Sequence, residues 1–272
     1  MRTGIVTFVA FALGVAAGAV GIAKFVSGRS QSAEAQASAS PGRLPRTPDG
    51  KPDLNGMWQV LSTAAWDLED HSAEPGIPAG QSVIEDGNIP YQAWALAKKQ
   101  EHSAKRDALD PLAKCYMPGV PRATYMPFPF EIVQTSTDVG LFYEYVHSVR
   151  MAYLDGSKHP EDIDFWMGDS RARWDGDTLV VDVTNLNDQT WLDKAGNFHS
   201  EAMHVVERYA MVDANQILYE ALITDPKVFT RPWKISMPLY RRLEKHVQLL
   251  DYECFGLAEP APTLEQYRQL AK

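Results

Sequence analysis

The stretch SRARWDGDTLVVDV, residues 170–183, constrains the fold more than any other part of the chain. Apolar and polar side chains alternate on both sides of Asp175-Gly176, and an Asp-Gly pair suits a two-residue hairpin turn because glycine tolerates positive φ. Pairing outward from that turn puts Trp174, Ala172, Leu179, Val181 and Val183 on one face. Arg173, Arg171, Thr178, Val180 and Asp182 fall on the other. A ribbon with one apolar face must cover that face, so the chain calls for an antiparallel sheet with one side buried.

Further segments read the same way. PDLNGMWQVL places Trp58 on a first strand, and EIVQT, the turn STD and one long arm VGLFYEYVHSVRMAYL form a hairpin. MHVVERYAMV and ILYEALIT form another about the turn DANQ, and EKHVQLLDYECF gives a last strand. Helices are few. IPYQAWALAKKQEHSAKRDALD reads as one, capped by Asn88 with Pro90 in its first turn, and PTLEQYRQLAK as another, with a Thr263…Gln266 capping box. MPGVPRATYMPFPF, broken by prolines, reads as extended loop. The sum is a mainly β chain, an antiparallel barrel with a few short helices.

The chain ends set the compartment. An uncharged run from Gly4 to Ala23 follows one arginine and is closed by Lys24. Its length suits a membrane-spanning helix and exceeds the usual hydrophobic core of a cleaved leader. Residues 1–26 therefore read as a signal peptide or N-terminal membrane anchor. Residues 27–52, rich in Ser, Ala, Pro and Gly, read as a flexible tether, and 53–272 as a single β-barrel domain. The expected location is the periplasm, with residues 4–23 as an anchor in the inner membrane. Outside the cytoplasm, Cys115 and Cys254 are expected to form a disulfide. The net charge of −9 and the lack of a basic stripe exclude a nucleic-acid partner.

PRTPDGKPDLNGMW, IPYQAWA with DPLAKC, MGDSRARWDGDTLVVD and TWLDKAGNFHSEAMHVVER together resemble an uncharacterised family of exported bacterial proteins. The likeness runs from about Pro45 onward and transfers no functional residue. Gly56-Met57-Trp58 on the first strand also resembles the G-x-W start of lipocalin-like (calycin) barrels, which agrees with the hairpin count.

The densest polar segment is FHSEAMHVVERY, residues 198–209. It is not a zincin helix, because His199 and His204 stand five apart and would diverge around a helix. Glu144-x-x-His147 and Glu201-x-x-His204 recur, but a carboxylate-bridged metal pair needs both motifs on helices, and Glu144 lies in a run that reads as strand. As a strand, the segment puts Met203, Val205, Glu207, Tyr209 and Met211 on one face and His204, Val206, Arg208 and Ala210 on the other. In the long arm, His147 shares a face with Leu141, Tyr143, Tyr145, Val149 and Met151, which places it in the barrel interior opposite Glu144, Ser148 and Arg150.

Three functions follow as expectations. The first is binding of a small hydrophobic or aromatic molecule in a barrel pocket lined by Trp58, Tyr143 and Tyr145, without a cofactor. The second is an acid–base lyase, hydratase or isomerase, with His147 or His204 as base, Glu144 or Glu207 as its partner, and Arg150 or Arg208 stabilising an anion. The third is a structural protein of the cell envelope. No metal set is assigned; His199, His204 and Asp193 are the candidates, and the loops 155–170 and 185–200 hold His199 and Asp193 together with His159, Asp162, Asp164, Asp169 and Asp188. His147→Ala is expected to cost stability, and His199→Ala, in a loop, to cost none.

Overall fold

The computed structural model describes residues 44–252 apart from 75, 76 and 86, together with residue 254. The apolar run, the first part of the tether and the C-terminal helix lie outside the described residues. Nine strands close into one barrel in sequence order: β1 (Gly56–Val60), β2 (Phe130–Gln134), β3 (Asp138–Tyr143), β4 (Val149–Tyr153), β5 (Asp169–Asp175), β6 (Thr178–Thr184), β7 (His204–Asp213), β8 (Gln216–Thr224) and β9 (Trp233–Arg241). β9 returns to pair antiparallel with β1, Trp58 opposite Arg241, so no sheet edge is left open along that seam. Two α-helices, α1 (Ala93–Ala104) and α2 (Arg106–Leu109), and three short 3₁₀ turns complete the described elements.

Alternation produces these strands. β7 buries Val205, Glu207, Tyr209 and Met211 and leaves the residues between them outside, and β8 does the same with Ile217, Tyr219, Ala221 and Ile223. The β5–β6 hairpin keeps the two faces read from sequence, with Trp174 opposite Leu179 and Ala172 opposite Val181. Its turn is Gly176-Asp177, one residue later than Asp175-Gly176, with Gly176 at φ +59° in the first central position.

Further readings of the sequence need correction. The long arm 139–154 is two strands: residues 144–148 turn back through a 3₁₀ segment, with Val146 and His147 in the left-handed region, and β3 and β4 pair with each other, Gly140 opposite Met151. That turn shifts the inward phase, so Leu141 and Arg150 are both buried while His147 is exposed. β4 and β5 run parallel, because the long connection 154–168 carries the chain back to the end where β4 began; the other eight strand pairings are antiparallel. The last strand is WKISMPLYR and not EKHVQLLDYECF; Pro238 is tolerated there with its ring on the outer, half-buried face. The tether does not reach residue 52: Arg46 donates to Asp177 at 2.9 Å and Asp53 N to Pro45 O at 2.9 Å, which fastens residues 44–53 to the hairpin turn.

The register places every long connection but one at a single end of the barrel. Segments 61–129, 144–148, 185–203 and 225–232 join strand ends there, and the 154–168 crossover arrives there. At the opposite end the strands are joined by the short turns 135–137, 176–177 and 214–215, the 154–168 crossover departs, and residues 44–53 are fastened. α1 starts at Ala93 and not near Asn88, because the preceding residues are taken up by the barrel: Gln92 N donates to Val228 O and Thr230 N to Pro90 O.

Candidate functional site

The barrel interior is not an empty cup. Trp58, Phe130, Glu207, Tyr219 and Ile235 have no measurable exposure, so no water-sized void touches them. At its centre Arg150 from β4 meets Glu207 from β7 in a fully buried ion pair. Tyr219 donates to Glu207 Oε1 at 2.7 Å and Tyr209 at 3.2 Å. Arg150 keeps its Nε and Nη1 hydrogens unpartnered among the described residues. The tyrosines' hydroxyls are held protonated, first by burial and then by the neighbouring Glu207 charge.

The 3₁₀ turn Arg122–Tyr125 stoppers the loop end of the barrel, and all four of its residues are buried. Thr124 Oγ1 lies 3.4 Å from Tyr143 Oη on the barrel side, and Tyr125 Oη donates to Leu192 O at 2.7 Å. Arg122 reaches the other way. It donates through both terminal nitrogens to Asp110 at 2.9 Å, while Asp110 also caps the 3₁₀ turn Pro111–Lys114 by accepting from Leu112 N.

Above this plug lies a cleft of about 650 Å³. Trp66, Met126, Phe128, Tyr145 and Tyr252 supply apolar and aromatic wall, and the Arg122–Asp110 pair lies at its base. Arg106, Asp107 and Lys194 stand around it, each engaged already: Arg106 with Glu74, and Lys194 with Asp107 at 3.1 Å. Tyr252 packs edge-on against Phe128 at 4.9 Å and lies tilted against Tyr145 at 5.1 Å. The Cys115–Cys254 disulfide expected from sequence is present, with Cys254 at the cleft wall. Concave, mostly apolar surface with a few fixed polar groups, at this size, can accept one small molecule.

The residues singled out from sequence are scattered over several places. Glu207 and Arg150 do converge, but without a histidine, since His147 is exposed on the 144–148 turn and His204 stands on the outer face of β7. Glu144 is buried and accepts from Leu250 N at 2.9 Å, and Arg208 sits outside against Asp175 at 3.0 Å. The acid–base set is therefore not assembled. Of the expected pocket residues, Trp58 and Tyr143 are packed core, and only Tyr145 lines the cleft.

The metal candidates also separate. His199 is buried, with Nδ1 2.9 Å from Ser200 O and Nε2 2.7 Å from Thr190 Oγ1. A carbonyl can only accept, so Nδ1 carries the proton and Nε2 accepts from the threonine hydroxyl. Asp193, fully buried, accepts from Leu68 N at 2.9 Å, Asn197 N at 3.1 Å and Asn197 Nδ2 at 2.5 Å. Burial, then the nearby Asp67 charge, pushes its carboxyl up to about 7 against those donors. His204 instead shares Asp182 with His159, Nε2 to carboxylate 3.0 Å in each case, and His159 Nδ1 is 2.6 Å from Asp169, which Arg171 also holds. That cluster pins the 154–168 connection to the outer wall. Among the described residues no group of three or more histidine, cysteine, aspartate or glutamate side chains is placed to hold a metal ion.

Sequence reasoning passed over Arg122, Met126 and Phe128 because the prolines of MPGVPRATYMPFPF marked it as loop, and over Asp110 because it ended a stretch read as helix. Its apolar content was the available signal: a solvated loop has no use for ATYMPFPF. Set against known protein families, curated proteins and solved structures, the chain has no match.

Proposed function

We propose that the protein is an exported, calycin-like binding barrel that takes up one small hydrophobic or aromatic molecule in the cleft above the plug. The observation that carries this reading is the cleft itself: a volume suited to one small ligand, walled by Trp66, Phe128, Tyr145 and Tyr252 over a charge-paired base. A packed interior moves the binding site from the barrel axis, where lipocalin-like barrels hold ligands, to the loop end. The calycin likeness draws support from the closing seam. Arg241 of β9 lies 4.2 Å over the ring of Trp58 and donates to Asn55 O, so the G-x-W start and the last strand lock each other.

Export to the periplasm is part of the proposal. The Gly4–Ala23 run and the Cys115–Cys254 bridge both favour an oxidising compartment. Among the described residues no helix is long and apolar enough to cross a membrane, so an anchor rests on the N-terminal run alone.

A structural envelope role is the second reading, and the filled interior favours it. Native mass spectrometry of the full chain, purified from cell envelopes, separates the two. The binding reading expects a small organic mass on the parent and none on Ala113→Trp, which fills the cleft. A bare polypeptide in both favours the structural role, and the same added mass on both places the ligand elsewhere.

A further inference from the structure

The C-terminal chain beyond β9 runs from the short-turn end of the barrel to the loop end without forming a strand or helix over residues 242–252. Its ties are few. Arg242 N donates to Met57 O at 2.8 Å near the start, and Leu250 N to Glu144 Oε2 at 2.9 Å near the finish. Tyr252 then wedges against Phe128 and Tyr145, and Cys254 is bonded to Cys115. Cys115 directly follows the 3₁₀ turn Pro111–Lys114, whose Leu112 and Ala113 line the cleft. The disulfide thus joins two walls of one cavity, and both cysteines are partly exposed.

We propose that this segment is a redox-released strap: the Cys115–Cys254 bond holds Tyr252 as a wall of the cleft, and its reduction opens the cleft and speeds ligand release. The inference rests on the cleft being the binding site. The step needs a dithiol reductant. Its thiolate attacks one sulfur, the S–S bond breaks, two electrons and two protons pass from the dithiol to Cys115 and Cys254, which become thiols, and the reductant closes to its own disulfide. With that bond gone, one ring contact set and one hydrogen bond hold the strap's end, a tie weak enough for local opening. Mutants of one binding site differ mainly in off-rate, so release is the quantity to read.

The test uses the full chain loaded with the neutral fluorescent probe N-phenyl-1-naphthylamine, with release followed by stopped-flow dilution. Four samples are compared: oxidised parent, parent treated with dithiothreitol, Tyr252→Ala with its disulfide intact, and Ala113→Trp. The expected result is release faster by roughly tenfold or more in the reduced parent and in Tyr252→Ala, with no uptake by Ala113→Trp. Tyr252→Ala keeps the test decisive should the reduced chain lose its fold. Equal release rates in the oxidised and the reduced, still folded parent, or in the oxidised parent and Tyr252→Ala, with Ala113→Trp still blocked, overturn the strap and leave the cleft standing. Uptake by Ala113→Trp equal to the parent's overturns the cleft as the binding site, and the strap with it.

Discussion

Glu207 and Arg150 are the residues on which the interior turns. With both side chains out of water, removing one charge strands the other, whereas replacing both removes the problem. Glu207→Gln is therefore expected to cost about 3–5 kcal/mol in urea unfolding, and the double replacement Arg150→Met with Glu207→Leu distinctly less. Both residues were legible as candidates, but their partnership was not. Counting period two straight through 139–154 put Arg150 opposite Tyr143 and Leu141, and only the left-handed pair Val146-His147 corrects the phase. The phase error also put His147 inside, while reading 185–203 as loop put His199 outside. His199→Ala should cost about 1–3 kcal/mol, since it deprives Thr190 and the Ser200 carbonyl of buried partners. His147→Ala, at an exposed side chain, should stay within about 0.5 kcal/mol of the parent. Thermal or urea melts of the two variants decide it.

At the scale of elements, hairpins were readable and connections were not. β5–β6 and β7–β8 follow from alternation and turn chemistry within one short window, whereas β9 was hidden by Pro232 and Pro238. The 185–203 connection read as a solvated loop because Asp and Asn fill turns. It is instead a buried cap with Asp193 at its centre, where Leu192 N donates to Asn197 O at 2.6 Å and Trp191 stacks on His102 of α1 at 4.5 Å. The raised Asp193 carboxyl gives this cap a pH signature. Between about pH 4 and pH 7 the folded chain keeps a proton there that the unfolded chain has lost, so the stability tied to Asp193 is fully present at the acid side and declines as pH rises. His199, held below its usual range by burial, works in the opposite sense as pH falls, so the parent curve alone mixes the two. The difference between parent and Asp193→Asn isolates Asp193. It should shrink with rising pH across that window, by no more than about 1.4 kcal/mol per unit, in urea titrations at successive pH values. A flat difference rejects the protonated state.

For the whole molecule, closure is what the sequence conveyed least. Which strands become neighbours across the β1–β9 seam, and that all but one of the long connections gather at one end, depend on register, which no local pattern carries. The disulfide was legible because two cysteines offer one pairing. It spans 139 residues, so Cys254→Ser should lower stability by about 2–5 kcal/mol in urea unfolding. Under the proposed function the plugged barrel binds at its loop end and not along its axis. The most direct measurement is a backbone amide NMR map of the oxidised protein during titration with N-phenyl-1-naphthylamine. Saturable shifts are expected at Ala113, Met126, Phe128 and Tyr252, with Glu207, Tyr219 and Ile235 unmoved. Shifts centred on the interior strands, or none at the cleft at saturating probe, would contradict the proposed function.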